Sequence, residues 1–198
     1  MTTHVLNEEE KMLQNLIRDF ADRELSMRAK EVDEKEEFSW ENWHGLGQLG
    51  ITGIGIDPKY GGSGGGYRQT AIAASETARG DVSASTTLIA HLSLGTSTIY
   101  RFGNEEQKLR FVPSLASGEN LAAWALTEPG GGSDAASLQT TATKKDGTYF
   151  LNGSKIFITN AEVAEYIVVF ATLDRSQGHR GVCAFVVQKG SPGLEINP

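Results

Sequence analysis

Cysteine and proline are scarce in this sequence, whose 198 residues include one cysteine, Cys183, and five prolines. A single cysteine excludes an internal disulfide and any zinc or iron–sulfur site built from several cysteines, which favours a reducing compartment. No apolar run is long enough to cross a membrane, and the acidic segment 1–10 lacks the basic start of a signal peptide. We therefore expect a cytoplasmic protein that does not bind membranes; a processed organellar protein with a replacement Met is the alternative with the same N-terminal sequence.

Positive charge is also in deficit. The chain has 18 Lys+Arg against 25 Asp+Glu, which gives a formal net charge of −7. Because nucleic-acid-binding surfaces need a basic field, this balance argues against nucleic acid as the main partner. With 39% hydrophobic and 22% charged residues, the composition is typical of a globular protein.

The first 120 residues have the apolar spacing of helices, with side chains recurring three and four positions apart. Helix starts with a side-chain cap are predicted at Asn7 with Glu10 and at Asn104 with Gln107, and a short helix is predicted from Ser39. Further helices are predicted over 68–79 and 83–102. Pro113 lies within the last predicted helix and predicts a kink or an early stop there.

After Gly118 the pattern changes to short segments rich in β-branched and aromatic residues, separated by turn signals. The predicted strands are 121–126, 137–144, 148–152, 155–159, 166–173 and 182–188. A run of helices followed by a run of strands predicts an α+β fold with a helical domain over 1–120 and a β domain over 121–198. The sheet lacks a covering element, so we expect the chain to be incomplete as a self-sufficient unit.

Three features that resemble functional sites have simpler interpretations. The glycine run 61–66 is followed neither by the Lys-Ser/Thr pair of a P-loop nor by a G-x-G-x-x-G register, so we interpret it as a flexible connection. His91 lies among apolar helix residues without a metal partner at i+4, which is typical of a core histidine. Cys183 is expected to be a buried strand residue rather than a nucleophile.

The most informative segment is 124–134, where a predicted strand leads into a glycine-rich turn. The turn exposes backbone N–H groups beside the hydroxyls of Thr127 and Ser133. This arrangement suits a flat ligand with a polar edge and an anionic tail. From the residues alone, a tight β-turn that carries hydroxyls and binds nothing remains the alternative.

This segment resembles a known signature, the Thr-Glu-Pro-x-x-Gly-Ser-Asp motif of flavin-dependent acyl-CoA dehydrogenases, with the sequence Thr127-Glu128-Pro129-Gly130-Gly131-Gly132-Ser133-Asp134. Other stretches resemble the same family in the same order, namely 57–62, 102–108, 115–119, 152–160 and 191–194. The resemblance covers essentially the whole chain. It implies a helical N-terminal domain and a middle antiparallel β-barrel domain, here incomplete, and a C-terminal four-helix domain that this sequence lacks.

The resemblance implies a FAD site in the second half of the chain. The implied cofactor contacts are Trp124, Leu126, Thr127, Gly132, Ser133, Phe157 and Thr159. Thr127 would bond the pyrimidine edge of the flavin ring, and Thr159 would place a hydroxyl near the flavin N5. Phe157, where many relatives carry tryptophan, would pack on the ring face. Without the resemblance, Phe157 reads as barrel core and Thr159 as strand surface.

The resemblance also implies an acyl-CoA substrate near Ser133, Ala90 and Leu94. The family places its catalytic carboxylate in the C-terminal domain, so Glu128 is interpreted as a structural residue of the turn. Asp134 is interpreted as a turn cap unless it contacts a ligand. No residue of this chain is predicted to be catalytic or to bind a metal.

The implied reaction is α,β-dehydrogenation of an acyl-CoA thioester to trans-2-enoyl-CoA, with electrons passed to electron-transfer flavoprotein. It implies a homo-oligomeric enzyme of fatty acid or amino acid catabolism, and the isolated 198-residue chain is expected to be inactive. One alternative is a non-catalytic flavin-binding fragment or a partial subunit that needs a partner chain. Another is an enzyme that resembles acyl-CoA oxidases or nitroalkane oxidases.

Overall fold

The computed structural model of the protein describes residues 5–197, so residues 1–4 of the acidic N-terminal segment and Pro198 lie outside the described residues. Helices and strands occupy different parts of the chain, which confirms the predicted α+β class. The chain divides into two compact units, Met1–Asn120 and Leu121–Pro198. Among the described residues, none of the helices combines the length and apolar character needed to cross a bilayer.

The first unit is helical. Its α-helices are α1 (Glu8–Phe20), α2 (Ser26–Lys35), α3 (Trp40–Gln48), α4 (Tyr67–Gly80), α5 (Val82–Ile89), α6 (Ser97–Phe102) and α7 (Glu105–Ala116). Segments of π-helix join α1 to α2 (Ala21–Leu25) and α5 to α6 (Ala90–Thr96), and 3₁₀ turns lie at Ile51–Gly53 and Pro58–Tyr60. Segments of π-helix are often found at functional sites, and the second of them contains Ala90 and Leu94.

The predicted helix caps are present. The Asn7 Oδ1 accepts a hydrogen bond from the Glu10 amide at 2.8 Å, and the Glu10 carboxylate accepts one from the Asn7 amide at 3.0 Å. Two donors at the start of α1 that have no partner within the helix are thereby satisfied. Ser39 caps α3, and Asn104 forms the same reciprocal pair at the start of α7.

Pro113 does not end its helix, because α7 continues to Ala116. The predicted early stop is therefore wrong. The proline ring removes one amide donor, but the Ser117 amide still donates to the Pro113 carbonyl at 3.0 Å. Val112 and Leu115 on either side are fully buried, so packing outweighs the poor helix propensity of proline.

Trp43 and His91 lie in the core of the first unit. Trp43 is 1% exposed, and its Nε1 donates to the Gly118 carbonyl at 2.8 Å. His91 is 0% exposed, and its Nε2 lies 3.2 Å from the Leu115 carbonyl oxygen. The interpretation of His91 as a core histidine is confirmed.

The glycine run is hydrogen-bonded and closely packed, which corrects its interpretation as a flexible connection. The Gly55 amide donates to the Gly64 carbonyl at 2.7 Å, and the Gly64 amide donates to the Ile56 carbonyl at 2.9 Å. A Cβ on Gly62 would lie 2.1 Å from the Ile56 carbonyl oxygen. Glycine is needed here because two backbone segments approach too closely for a side chain.

The second unit contains a five-stranded sheet in the described part of the chain. Its strands are β1 (Ala122–Ala125), β2 (Thr141–Lys145), β3 (Thr148–Asn152), β4 (Tyr166–Thr172) and β5 (Val182–Gln188). β5 pairs with β4 along its full length and antiparallel to it. β1 pairs parallel with β4, from Ala122↔Tyr166 to Ala125↔Val169, and β3 pairs antiparallel with β2.

Within residues 5–197 this sheet is open and mixed, so the expectation of purely antiparallel pairing is corrected. Antiparallel neighbours can be joined by a tight hairpin, as β2 and β3 are. β1 and β4 are instead joined by the long connection 126–165, which brings the chain back in the same direction. A single parallel bridge, Thr141↔Thr172, links β2 to β4.

Residues 155–159, predicted as a strand, form irregular backbone with a bend at Phe157 instead. Phe157 has a φ of 56° and Asn160 a φ of 71°, and this left-handed conformation is incompatible with a strand. β2 also begins later than predicted, because the 3₁₀ turn Ala135–Ser137 precedes it. Both errors fall in the long connection, where local residue preference is outweighed by hydrogen bonds to distant segments.

Candidate functional site

The turn that follows β1 is closed by a reciprocal pair of backbone hydrogen bonds. The Glu128 amide donates to the Gly131 carbonyl, and the Gly131 amide donates to the Glu128 carbonyl, both at 3.0 Å. Gly131 has a φ of 154°, and a Cβ built on Gly130 or Gly131 would meet no atom within 4 Å. The tip of the turn is therefore open to a ligand.

Thr127 and Gly132 meet across this turn. A Cβ on Gly132 would lie 3.1 Å from both the Thr127 Cγ2 and its Oγ1. A larger residue at position 132 would push the Thr127 side chain out of place. The structure thus brings together two of the predicted site residues.

Three of the hydroxyls predicted for the site make no hydrogen bond within residues 5–197, namely those of Thr127 and Ser133 in this turn and that of Thr159 in the later segment. Thr127 is half-buried, whereas Ser133 and Thr159 are exposed. Hydroxyl groups without an internal partner are free to bond a ligand. Asp134 makes no side-chain capping bond to the 3₁₀ turn that follows it, so its interpretation as a turn cap is wrong.

Phe157 is held in an unusual conformation. Its φ of 56° is uncommon for a residue other than glycine, and its side chain is 88% exposed. The interpretation of Phe157 as barrel core is therefore excluded. A strained backbone that presents a large apolar ring to solvent is typical of a ligand-binding site. The preceding residue ties the segment to the turn, because the Ile156 amide donates to the Thr127 carbonyl at 3.0 Å.

Trp124 and Leu126 lie at the end of β1. Trp124 is half-buried and packs edge-on against Phe170 of β4, with ring centroids 4.9 Å apart. Leu126 follows the strand and is also half-buried, and its carbonyl accepts a hydrogen bond from Lys155 at 3.0 Å. Both residues border the turn that carries Thr127.

Glu128 lies under the turn in a dense hydrogen-bond network. It is 6% exposed, and its carboxylate accepts bonds from the Gln139 amide at 2.5 Å and the Thr140 amide at 2.9 Å. The Thr140 hydroxyl donates to it at 2.5 Å, and the Lys155 ammonium at 2.8 Å. Burial alone would raise the pKa of Glu128, but the bonds from Lys155, Thr140 and the two amides outweigh it and lower the pKa to about 2.

This network supports the structural interpretation of Glu128. A carboxylate with a pKa of about 2 and four donors is a poor proton acceptor near neutral pH. Sequence reasoning did not single out Lys155 as its partner. Glu128 and Lys155 are 27 positions apart in the sequence, and no local sequence pattern links residues at that distance.

Ala90 and Leu94 belong to the helical unit. Both lie in the π-helical segment Ala90–Thr96, where Ala90 is 7% exposed and Leu94 is 39% exposed. Leu94 therefore presents apolar surface to solvent, whereas Ala90 is largely covered. Within residues 5–197, no group of three or more His, Cys, Asp or Glu side chains is placed to hold a metal ion.

The features of the second unit fit a flat heteroaromatic group such as a flavin. They supply an exposed aromatic face at Phe157, a hydroxyl at Thr127 and a glycine turn with open space above it. A flavin ring needs an apolar surface along its face and donors along its polar edge. Cys183, by contrast, is a half-buried residue of β5 outside this group.

Comparisons with known proteins agree with these features. The chain matches the family models "Acyl-CoA dehydrogenase, N-terminal domain" over residues 7–119 and "Acyl-CoA dehydrogenase, middle domain" over residues 123–198. An acyl-CoA dehydrogenase of Bacillus subtilis (strain 168) is 42% identical over 191 residues, which are 96% of this chain and 50% of that protein. The chain thus spans about half the length of the curated relatives it matches.

Two solved structures are similar as well. Butyryl-CoA dehydrogenase from Megasphaera elsdenii has a TM-score of 0.91 and 41% identity, over 97% of this chain and 51% of that one. The FAD complex of PigA has a TM-score of 0.93 and 33% identity, over 100% of this chain and 52% of that one.

Proposed function

The chain belongs to the acyl-CoA dehydrogenase family of flavoprotein oxidoreductases, and from this membership we propose that it binds FAD through the turn after β1 and the segment that carries Phe157. The reaction is α,β-dehydrogenation of an acyl-CoA thioester to trans-2-enoyl-CoA. Electron-transfer flavoprotein is the proposed electron acceptor, and the protein acts as a homo-oligomer.

A single observation carries the proposal for the cofactor. The ring of Phe157 is 88% exposed on a left-handed backbone, one residue from the amide that bonds the Thr127 carbonyl. Exposing a phenyl ring to water forgoes about 2 kcal/mol of burial free energy, which a bound aromatic ligand would recover. Within the described part of the chain, the ring is left almost entirely uncovered.

Each proposed contact has a physical task. Phe157 covers one face of the ring and keeps water from it, while Trp124 and Leu126 supply apolar surface along its border. The Thr127 hydroxyl would bond the polar pyrimidine edge of the bound flavin, and the Thr159 hydroxyl would lie near its N5. Bound FAD supplies the hydride acceptor for the reaction.

The glycine turn supplies further proposed ligand contacts. Gly132 leaves room for the pyrophosphate, and the exposed Ser133 hydroxyl bonds the phosphates or the CoA moiety. Ala90 and Leu94 supply apolar surface for the acyl chain. The substrate is an acyl-CoA.

No residue of this chain is assigned as the catalytic base. Glu128 is excluded from that role because its four donors and its low pKa stabilise the carboxylate as an anion. We expect the 198-residue chain alone to show little or no turnover. Turnover by these residues alone would contradict this assignment.

The test is flavin content followed by an activity assay. Purified protein is examined for the yellow flavin chromophore and for a gain in thermal stability with added FAD. An acyl-CoA is then supplied with a dye acceptor or with oxygen. Oxygen consumption in place of dye reduction would favour an oxidase, and FAD binding without turnover would favour a non-catalytic fragment. Absence of both chromophore and stabilisation would overturn the proposal.

A further inference from the structure

A buried ion pair lies under the proposed flavin turn. The Lys155 side chain is 10% exposed and that of Glu128 is 6% exposed. The Lys155 Nζ donates to Glu128 at 2.8 Å and to the Leu126 carbonyl at 3.0 Å. A buried ion pair adds little net stability, because the free-energy cost of taking two charges out of water offsets the attraction between them. This points to a geometric role for the pair of Lys155 and Glu128.

The pair connects the segments that carry the proposed cofactor contacts. Lys155 bonds the end of β1 through Leu126, and the neighbouring Ile156 amide bonds the Thr127 carbonyl at 3.0 Å. Glu128 bonds the start of β2 through the Thr140 amide and hydroxyl. Phe157 lies two residues after Lys155, so the conformation of its segment depends on the same contacts.

We infer that Lys155 is a positioning residue for the flavin site, acting through the Leu126 carbonyl and the Glu128 carboxylate to fix the Thr127 hydroxyl and the Phe157 ring. This inference rests on the flavin-binding function proposed above. Lys155 itself is not one of the proposed cofactor contacts. Its effect on FAD therefore passes through Thr127 and Phe157.

Glu128 keeps most of its donors when Lys155 is removed. The Gln139 amide and the amide and hydroxyl of Thr140 still bond its carboxylate. The Leu126 carbonyl, in contrast, loses its bond from Lys155. Substitution of Lys155 is therefore expected to loosen the segment before Thr127 more than the turn itself.

The test compares Lys155→Met with a matched control, Arg18→Met. Arg18 bonds the buried carboxylate of Glu76 at 2.8 and 2.9 Å in the helical unit, and Gln14 also donates to that carboxylate. Each substitution thus leaves a buried carboxylate without its cation but with other donors. The dissociation constant for FAD is measured by flavin fluorescence titration, and folding is checked by circular dichroism and urea unfolding.

The expected result is that Lys155→Met raises the FAD dissociation constant about tenfold, the equivalent of one lost hydrogen bond, while Arg18→Met leaves it unchanged. A double-mutant cycle with Thr127→Val separates positioning from general destabilisation. In the Thr127→Val background, Lys155→Met should change the dissociation constant by less than about threefold. If Lys155→Met does not fold, the double variant Lys155→Met with Glu128→Gln takes its place in the same cycle with the same expectation, because it removes both buried charges and still deletes the bond to the Leu126 carbonyl.

Three results would overturn the inference. These are an unchanged dissociation constant in the folded Lys155 variant, an equal increase in Arg18→Met, and a full effect that persists in the Thr127→Val background. Absence of FAD binding by the unsubstituted protein overturns the proposed function, and the positioning role with it. That outcome is distinguishable because it appears before any substitution is made.

Discussion

The imidazole of His91 packs edge-on against the indole of Trp43 in the core of the helical unit, with ring centroids 4.8 Å apart and planes at 74°. His91 is fully buried, and desolvation lowers its pKa from the ordinary 6.5 to about 4, although backbone contacts at Leu115 and Thr52 oppose the shift. The histidine is therefore neutral in the folded protein at physiological pH. This makes the core sensitive to acid.

His91→Gln should remove a part of the acid sensitivity. An imidazole with a lowered pKa contributes full stability above pH 6.5 and loses it as the pH falls toward 4, because protonation favours the unfolded chain. The wild-type protein should lose about 3 kcal/mol of unfolding free energy from this group over that range. Urea unfolding at pH 7 and pH 4 measures the difference. The exposed His44, changed to glutamine, is the control, and an unchanged pH dependence in His91→Gln would count against this account.

Gly62→Ala should destabilise the helical unit, because the new Cβ would lie 2.1 Å from the Ile56 carbonyl oxygen. Overpacking of this kind costs about 1–3 kcal/mol. Gly66→Ala, in the same glycine run, is the matched control, because its Cβ would meet no atom closer than 4.0 Å. Thermal unfolding of both variants measures the effect. Equal melting temperatures would mean that the run is the loose connection first predicted from its sequence.

Phe157→Gly should stabilise the protein without cofactor and weaken FAD binding. Glycine adopts a φ of 56° without steric cost, so relief of the left-handed strain should add up to about 1 kcal/mol. Loss of the stacking ring should raise the FAD dissociation constant about tenfold. Phe157→Ala removes the ring but keeps the strain, so it should weaken FAD binding without the gain in stability. A loss of stability in Phe157→Gly would show that the ring serves the fold instead.

Glu128→Gln should cost about 3–5 kcal/mol of unfolding free energy at neutral pH, because it leaves Lys155 buried without its anion. The pKa of Glu128 is lowered from 4.5 to about 2, so its contribution is complete above pH 4.5 and is lost as the pH falls toward 2. The deficit of the variant should therefore shrink between pH 4.5 and pH 2. Urea unfolding at pH 7 and pH 3 is the measurement, with the exposed Glu162→Gln as control. A deficit of constant size would contradict the low pKa.

The parts of the fold that the sequence predicts are those set by neighbouring residues. The cap at Asn7 depends on Glu10 three positions away, and its geometry follows from the helix itself. The bend at Phe157 is different, because the neighbouring Ile156 is bonded to Thr127, about thirty positions earlier in the chain. The parallel pairing of β1 with β4 likewise depends on contacts that no local pattern encodes.

The candidate site shows the same division. The hydroxyls of Thr127 and Ser133 were identified from a contiguous motif, whereas Lys155 was not, because its role depends on a carboxylate 27 positions away. The structure adds the close approach of Gly132 to Thr127 and the exposure of Phe157. Both are properties of packing, which composition and spacing do not contain.

The most direct test of the central proposal is a fluorescence titration of the purified protein with FAD, made in parallel on Thr127→Val and Thr143→Val. Thr143 is an exposed threonine of β2 outside the proposed site, so it controls for loss of a hydroxyl. The proposal predicts saturable binding by the wild-type protein and by Thr143→Val, with about tenfold weaker binding by Thr127→Val. No binding by the wild-type protein, or equal affinity in all three proteins, would contradict it.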